Sequence, residues 1–213
     1  LRDSIIKAIQ EAMEKSKERK FKESVDLAIN LKDVDLSVPK NRINEELILP
    51  SGRGKEIKVA VFGSGETALK AKECADLVIP PEEIDKLAEN KRHARKIANE
   101  YDFFVAEAPL MGNIGKVLGV ILGPRGKMPK PIPPGGDPCP IVKNLKKTVR
   151  MRSRDKRTFH VAVGTKDMAP EDIATNVEEV IKRLEHKLER GLQNIDTLYI
   201  KTTMGPAIKI KLR

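Results

Sequence analysis

Near the C-terminus the run Thr202-Thr203-Met204-Gly205-Pro206 interrupts an alternating pattern in which Ile200, Ile208, Ile210 and Leu212 sit between polar or basic neighbours. Two hydroxyls, a thioether, a glycine and a proline between two strand-like halves describe a turn rich in hydrogen-bonding groups, not a reactive centre. Other residues suited to chemistry are few. His93 and His186 lie in highly charged, helix-like stretches and read as solvated. His160 lies in the strand-like "TFHVAVGTK", where a ligand contact and simple packing are equally open. Cys74 and Cys139 have no metal-ligand spacing to any histidine and are far apart in sequence, so neither a metal site nor a disulfide framework is expected. No Ser-His-Asp or Cys-His set is identifiable, and neither catalytic machinery nor a cofactor is expected.

Two glycine-rich segments invite a phosphate-binding reading. "VAVFGSGETALKAKE" (59–73) runs strand, Gly-x-Gly, helix, as in dinucleotide folds that seat a pyrophosphate on a helix N-terminus. Gly63 and Gly65 supply two glycines of that fingerprint, but Ala68 takes the third place. No convincing acidic residue ends the following strand, and a tight strand-to-helix turn explains the segment better. "ILGPRGKMP" lacks the glycine (Ile121) and the hydroxyl (Met128) that a phosphate-binding Gly-Lys loop requires. Nucleotide hydrolysis is therefore unsupported, and an enzyme holding a nucleotide or phosphorylated substrate at Gly63–Thr67 is the alternative reading.

The charge balance points to a non-catalytic role. Forty-one Lys and Arg against 31 Asp and Glu leave +10, which makes a polyanion the expected partner. Basic clusters at 15–22 ("KSKERKFK"), 150–157 ("RMRSRDKR") and 209–213 ("KIKLR") each suit phosphate. With 3% aromatics and no Trp, phosphate and backbone contacts should outweigh base stacking. No apolar run approaches the roughly 20 residues of a membrane span. The charged N-terminus does not read as a signal peptide, and the cytosol is the expected compartment.

These groups must be positioned by two textures of chain. Residues 1–19 read as an amphipathic helix, "SVDLAINLK" and "EELILP" as strands, and "SGRGK" (51–55) as a glycine-rich joint. "IKVAVFG", "ADLVIP", "YDFFVAEA" and "VLGVILG" read as short buried strands, with "PEEIDKLAENKRHARKIANEY" as the clearest helix among them. That alternation predicts a parallel α/β unit. "LGPRGKMPKPIPPGGDPCP" is too rich in proline for helix or sheet interior and reads as a loop or flap. "TFHVAVG" is a strand, 170–190 a periodic helix, and 195–201 and 207–212 closing strands around the Thr202–Pro206 turn. The fold expected is α/β in two domains: an α+β domain from both chain ends (1–52 and 151–213), interrupted by a Rossmann-like three-layer domain (53–150). A hinge is expected at Gly52, Gly54 and the basic run before Lys156.

Four segments, "KFKESVDLAINL", "ILGPRGKMPKP", "FHVAVGTKDM" and "KTTMGPAIKI", resemble in order and spacing the large-subunit ribosomal protein family L-one, the protein of the mobile stalk. The likeness extends over essentially the whole chain, and the short N-terminus and "PIPPGGDP" are closer to the archaeal form. The resemblance implies the same inserted-domain architecture. It implies binding to large-subunit ribosomal RNA at the stalk near the exit site and a part in release of deacylated tRNA. It also implies translational repression through the protein's own mRNA, and a cytoplasmic, ribosome-bound protein that is a monomer off the ribosome. Matched motif by motif, the RNA surface would comprise Lys20, Phe21, Ser24, His160, Gly164, Lys166, Thr202, Thr203, Met204, Gly205 and Pro206. Short hydroxyls and main-chain groups reach 2′-OH and phosphate oxygens, glycine permits close approach, and a thioether packs on a base or sugar. The Gly123–Pro129 loop has no role fixed by the resemblance. A dedicated repressor with no ribosomal role would use the same surface.

Overall fold

The structure, a computed structural model, describes residues 2–211. The end of the third basic cluster and of the strand expected to reach 212 lie outside the described residues. In chain order the elements are α1 (Arg2–Glu14), β1 (Ser24–Leu31), β2 (Asn44–Ile48), β3 (Val59–Phe62), α2 (Gly65–Ala71) and β4 (Leu77–Ile79). Then follow α3 (Pro81–Glu89), α4 (Lys91–Glu100), β5 (Phe103–Glu107), α5 (Met111–Val117), α6 (Gly119–Arg125), β6 (Lys130–Ile132) and α7 (Cys139–Lys146). The chain closes with β7 (Thr148–Arg152), β8 (Thr158–Thr165), α8 (Pro170–Lys187), β9 (Ile195–Thr202) and β10 (Ile208–Ile210).

Two compact units result, one from Leu1–Lys55 with Lys147–Arg213, the other from Glu56–Lys146. The division falls at 55/56 and 146/147, within four residues of the borders expected from sequence, 52/53 and 150/151. Side-chain locking explains the shift on the N-terminal side. Asn176, fully buried on α8, accepts from the Ser51 N–H (3.1 Å) and donates to the Gly52 carbonyl (2.8 Å). Gly54, at φ +67°, leaves no room for a Cβ against Thr165 and Met168. Residues 51–54 are thus bound into the first unit.

In the first unit the antiparallel order is β10-β9-β1-β8. Alternation on β1 turns Val25, Leu27, Ile29 and Leu31 inward, where Ile5 and Ile9 of α1 and Val177, Val180 and Leu184 of α8 cover them. A separate pair, β2 with β7, is antiparallel. In the second unit a parallel sheet, β4-β3-β5-β6, has a core on each face. Val59 and Val61 of β3 point to one face with Phe103 and Val105, Ala60 and Phe62 to the other with Phe104 and Ala106.

Three sequence expectations are corrected. "VLGVILG" is not a strand but α5 and α6, since a short apolar run fits a buried helix as well as a strand. The proline-rich stretch is not wholly loop. Pro124 sits in the last turn of α6, which ends at left-handed Gly126 (φ +67°). Pro131 lies on β6, a sheet edge, where a missing N–H is tolerated. The long helix over 81–101 is two helices, because Asn90 leaves helical geometry and its side chain accepts from the His93 N–H (3.1 Å), capping α4.

The cysteines are also corrected: Cys74, after α2, is joined to Cys139, at the start of α7, by a disulfide spanning 65 residues of chain. Sequence distance hid a pair that folding brings to Cα atoms 5.5 Å apart. Chain-entropy arithmetic assigns such a loop about 4 kcal/mol. Reducing it, or replacing both cysteines with serine, is expected to lower the melting transition of the second unit and leave that of the first unchanged in calorimetry.

Candidate nucleic-acid interface

One end of the first unit's sheet gathers residues from four parts of the chain. Their focus is Glu23, a carboxylate with 2% exposure inside the charged run "KFKES". Its Oε2 accepts from the Ser16 hydroxyl (2.6 Å) at the end of the α1 segment, and its Oε1 accepts from the main-chain N–H of Met204 (3.0 Å). Its carbonyl accepts from the Lys166 N–H (3.0 Å), while the Lys166 ammonium reaches Ser16 Oγ and carbonyl at 3.3 Å. Hydrogen bonding from Ser16 is the largest influence on the Glu23 carboxyl and lowers its pKa. Burial works against this, and the Met204 N–H with Lys166 and Arg19 adds to the lowering; the net result lies below the ordinary value.

Beside it the ends of β1 and β9 are laced together. Thr203 N–H donates to the Ser24 carbonyl (3.0 Å), and Thr203 Oγ1 accepts from the Ser24 N–H (3.1 Å) and donates to its carbonyl (3.3 Å). Gly205 N–H closes the turn on the Thr202 carbonyl (3.2 Å), and a Cβ at Gly205 would strike Thr202 Oγ1. A main chain tied down in this way presents Thr203, Met204 and Pro206 outward. Met204 is 60% exposed and Phe21, two residues before Glu23, is 53% exposed. Two large apolar side chains held in water beside lysines form a surface suited to being covered. Lys20 is exposed next to Phe21, and Lys22 pairs with Asp167 at 2.7 Å.

The remaining expected residues separate from this group. Thr202 is fully buried, so the outward surface begins at Thr203. Gly164 is buried too, and a Cβ there would lie 3.0 Å from Ile173 of α8 and 3.2 Å from Met168. Its role is internal close packing. Gly164→Ala is expected to cost about 1–2 kcal/mol by overpacking, read as a lower melting temperature, with RNA affinity unchanged at 25 °C. His160 is exposed and pairs with Ala28 in mid-sheet, about four residues or ~13 Å along β8 from Gly164. It faces Asp26, whose carboxyl burial pushes above its ordinary value although His160, Lys201 and Arg53 pull it down.

All three basic clusters fall in the first unit, but two of them lie at opposite ends of its sheet. Cluster 15–22 leads directly into Glu23, at the end where Ser24 pairs with Thr165. Cluster 150–157 leads into the other end of β8, where Thr158 pairs with Asn30, six residues or roughly 20 Å away. Part of it is already neutralised, since Arg150 pairs with Glu46 at 2.7 Å. Charge nevertheless favours this unit as a whole: 27 basic against 19 acidic residues give it +8, while 14 against 12 give the second unit +2.

In the second unit the Gly63–Thr67 turn presents no anion site. Ser64 Oγ donates to Glu107 Oε2 at 2.8 Å. Burial raises the Glu107 carboxyl, but the Thr67 and Ser64 hydroxyls and the Ser64 N–H outweigh it and hold it below its ordinary value. A buried carboxylate at that turn repels phosphate. Among the described residues no group of side chains could hold a metal ion, and no helix is long and apolar enough to cross a membrane.

Comparison with known proteins settles the family. The model of the ribosomal protein L1p/L10e family matches residues 13–206. The chain belongs to the ribosomal protein L1p/L10e family. Large ribosomal subunit protein uL1 of Thermoplasma acidophilum is 58% identical over 209 residues, covering 98% of this chain and 96% of that protein. The uL1 proteins of Methanocella arvoryzae and Haloferax volcanii are 54% and 48% identical, each over 98% of this chain. Membership places this L1-family chain with archaeal ribosomal proteins and not with enzymes. Its matched region contains every expected interface residue, from Lys20 to Pro206.

Sequence reasoning missed Glu23, Ser16 and Asp26. A carboxylate between Lys22 and Ser24 reads as solvated, and only the meeting of α1, β1 and the 202–206 turn buries it.

Proposed function

We propose that this L1-family chain is a constituent of the large ribosomal subunit that binds large-subunit ribosomal RNA at the mobile stalk. The contact surface is the end of the first unit's sheet: Phe21 and Lys20, Ser24, Lys166, and the turn Thr203–Pro206. The observation that carries this reading is the Met204 turn, fixed from beneath by Glu23 while its side chains face solvent. A rigid main chain with exposed thioether and proline groups meets a structured RNA groove without paying to order itself.

The same surface serves a similar structure in the protein's own mRNA, giving translational repression, and a ribosome-bound protein near the exit site assists release of deacylated tRNA. Off the ribosome the protein is a monomer. Filter-binding titration against the stalk fragment should give tight, salt-sensitive affinity. Equal affinity for an unrelated hairpin of the same length would sink the proposal. Co-sedimentation with large subunits separates a ribosomal constituent from a dedicated repressor.

A further inference from the structure

Helix α4, in the second unit, carries a basic face that the interface above does not use. Lys91, Arg92, His93, Arg95 and Lys96 are all exposed, while Ala94 and Ala98 are buried and fix the helix's inner side. Arg92, Arg95, Lys96 and Asn99 follow at three- and four-residue steps, so they share one face with side chains about 5–6 Å apart. With Asn90 and His93 they line an open groove of about 500 Å³. Arg125, the last residue of α6, donates from Nε to Asn99 Oδ1 (3.3 Å) and carries the strip onto a second helix.

Among the described residues nothing neutralises the strip. The helix's own carboxylate, Glu100, is taken by Lys58 at 3.0 Å. Among the described residues Arg92, Arg95 and Lys96 make no ion pair, although neighbouring α3 carries Glu82, Glu83, Asp85 and Glu89. The second unit has only +2 overall, so this is a local concentration of charge and not a reflection of the whole. Like charges crowded on one helix face repel each other until an anion arrives.

Charge complementarity selects a polyanion, and two features narrow it. Planar guanidinium groups pair with phosphate oxygens in bidentate fashion. No Phe, Tyr or Trp lines the groove, which leaves the His93 imidazole as its one aromatic ring, too little for a run of single-stranded bases to stack on. We propose that this face of α4 is a second RNA-binding surface, holding the phosphate backbone of an RNA double helix independently of the first unit's interface.

The test uses the full chain and an RNA duplex of about 20 base pairs unrelated to the stalk, with binding followed by fluorescence anisotropy over a salt series. Arg92→Gln/Arg95→Gln/Lys96→Gln is expected to lose about tenfold in affinity and to flatten the log–log salt slope by about 2 to 3, near 0.9 per lost phosphate contact. Met204→Asp should bind this duplex as the wild type does. An unchanged affinity and slope in the triple variant overturns the proposal. So does displacement of the duplex by polyglutamate at equal charge concentration, which would make the face a site for acidic polypeptide.

Discussion

Replacing Met204 with aspartate is expected to weaken binding to the stalk segment of large-subunit ribosomal RNA about a hundredfold, or about 2.7 kcal/mol, with melting temperature unchanged. Met204 is held by its main chain, through the N–H given to Glu23, and its side chain is 60% exposed. The substitution therefore leaves the turn intact. It removes the thioether contact and sets a carboxylate against phosphate, a change of the size seen at interface hot spots. Filter binding and thermal melting on the same preparation decide it. A large drop in melting temperature with affinity preserved would make Met204 a packing residue. Thr203→Val is a poorer probe, because the Thr203 hydroxyl joins β1 to β9 and both stability and affinity should fall.

The second large effect is expected at Glu23. Glu23→Ala leaves the Met204 N–H and the Ser16 hydroxyl without their acceptor and Lys166 without a nearby carboxylate. Each buried group left unpaired costs about 1–3 kcal/mol, so a loss of about 3 kcal/mol in the first unit is expected. RNA affinity should fall too, although Glu23 itself faces inward, because the turn above it is no longer fixed. The pH dependence has a definite sign. The folded-state pKa of Glu23 lies below its ordinary 4.5, so the stabilisation is fully present above that value and fades as pH falls through the folded value. The stability gap between wild type and Glu23→Gln should therefore be constant near neutrality and close below about pH 4.5 in acid melts. A gap that persists at pH 2 would show that the carboxylate charge contributes nothing.

Much of the first unit is legible from the sequence because its elements have one wet and one dry face. The alternation in β1 and β9 and the 3.6-residue period of α8 state both the element type and the buried side. The second unit is less legible, since elements buried on several sides lose that periodicity; "VLGVILG" could not be told from a strand by pattern alone. The disulfide was hidden because 65 residues separate its halves. At the interface, the motif around Met204 is visible as a break in alternation, whereas its support is not. Glu23 gains its meaning from Ser16, Lys166 and Met204, partners that lie 7, 143 and 181 residues away along the chain. Three basic clusters read alike in sequence, yet strand register sends 15–22 and 150–157 to opposite ends of the same sheet.

That separation supplies the most direct measurement. Hydroxyl-radical footprinting of the protein, free and bound to the stalk ribosomal RNA fragment, reports side-chain protection at both ends of β1 and β8 in one experiment. Protection of Phe21 and of Thr203–Pro206, with Arg152–Arg157 unchanged, is the result predicted. Protection of Arg152–Arg157 with Phe21 and Met204 still reactive would contradict it.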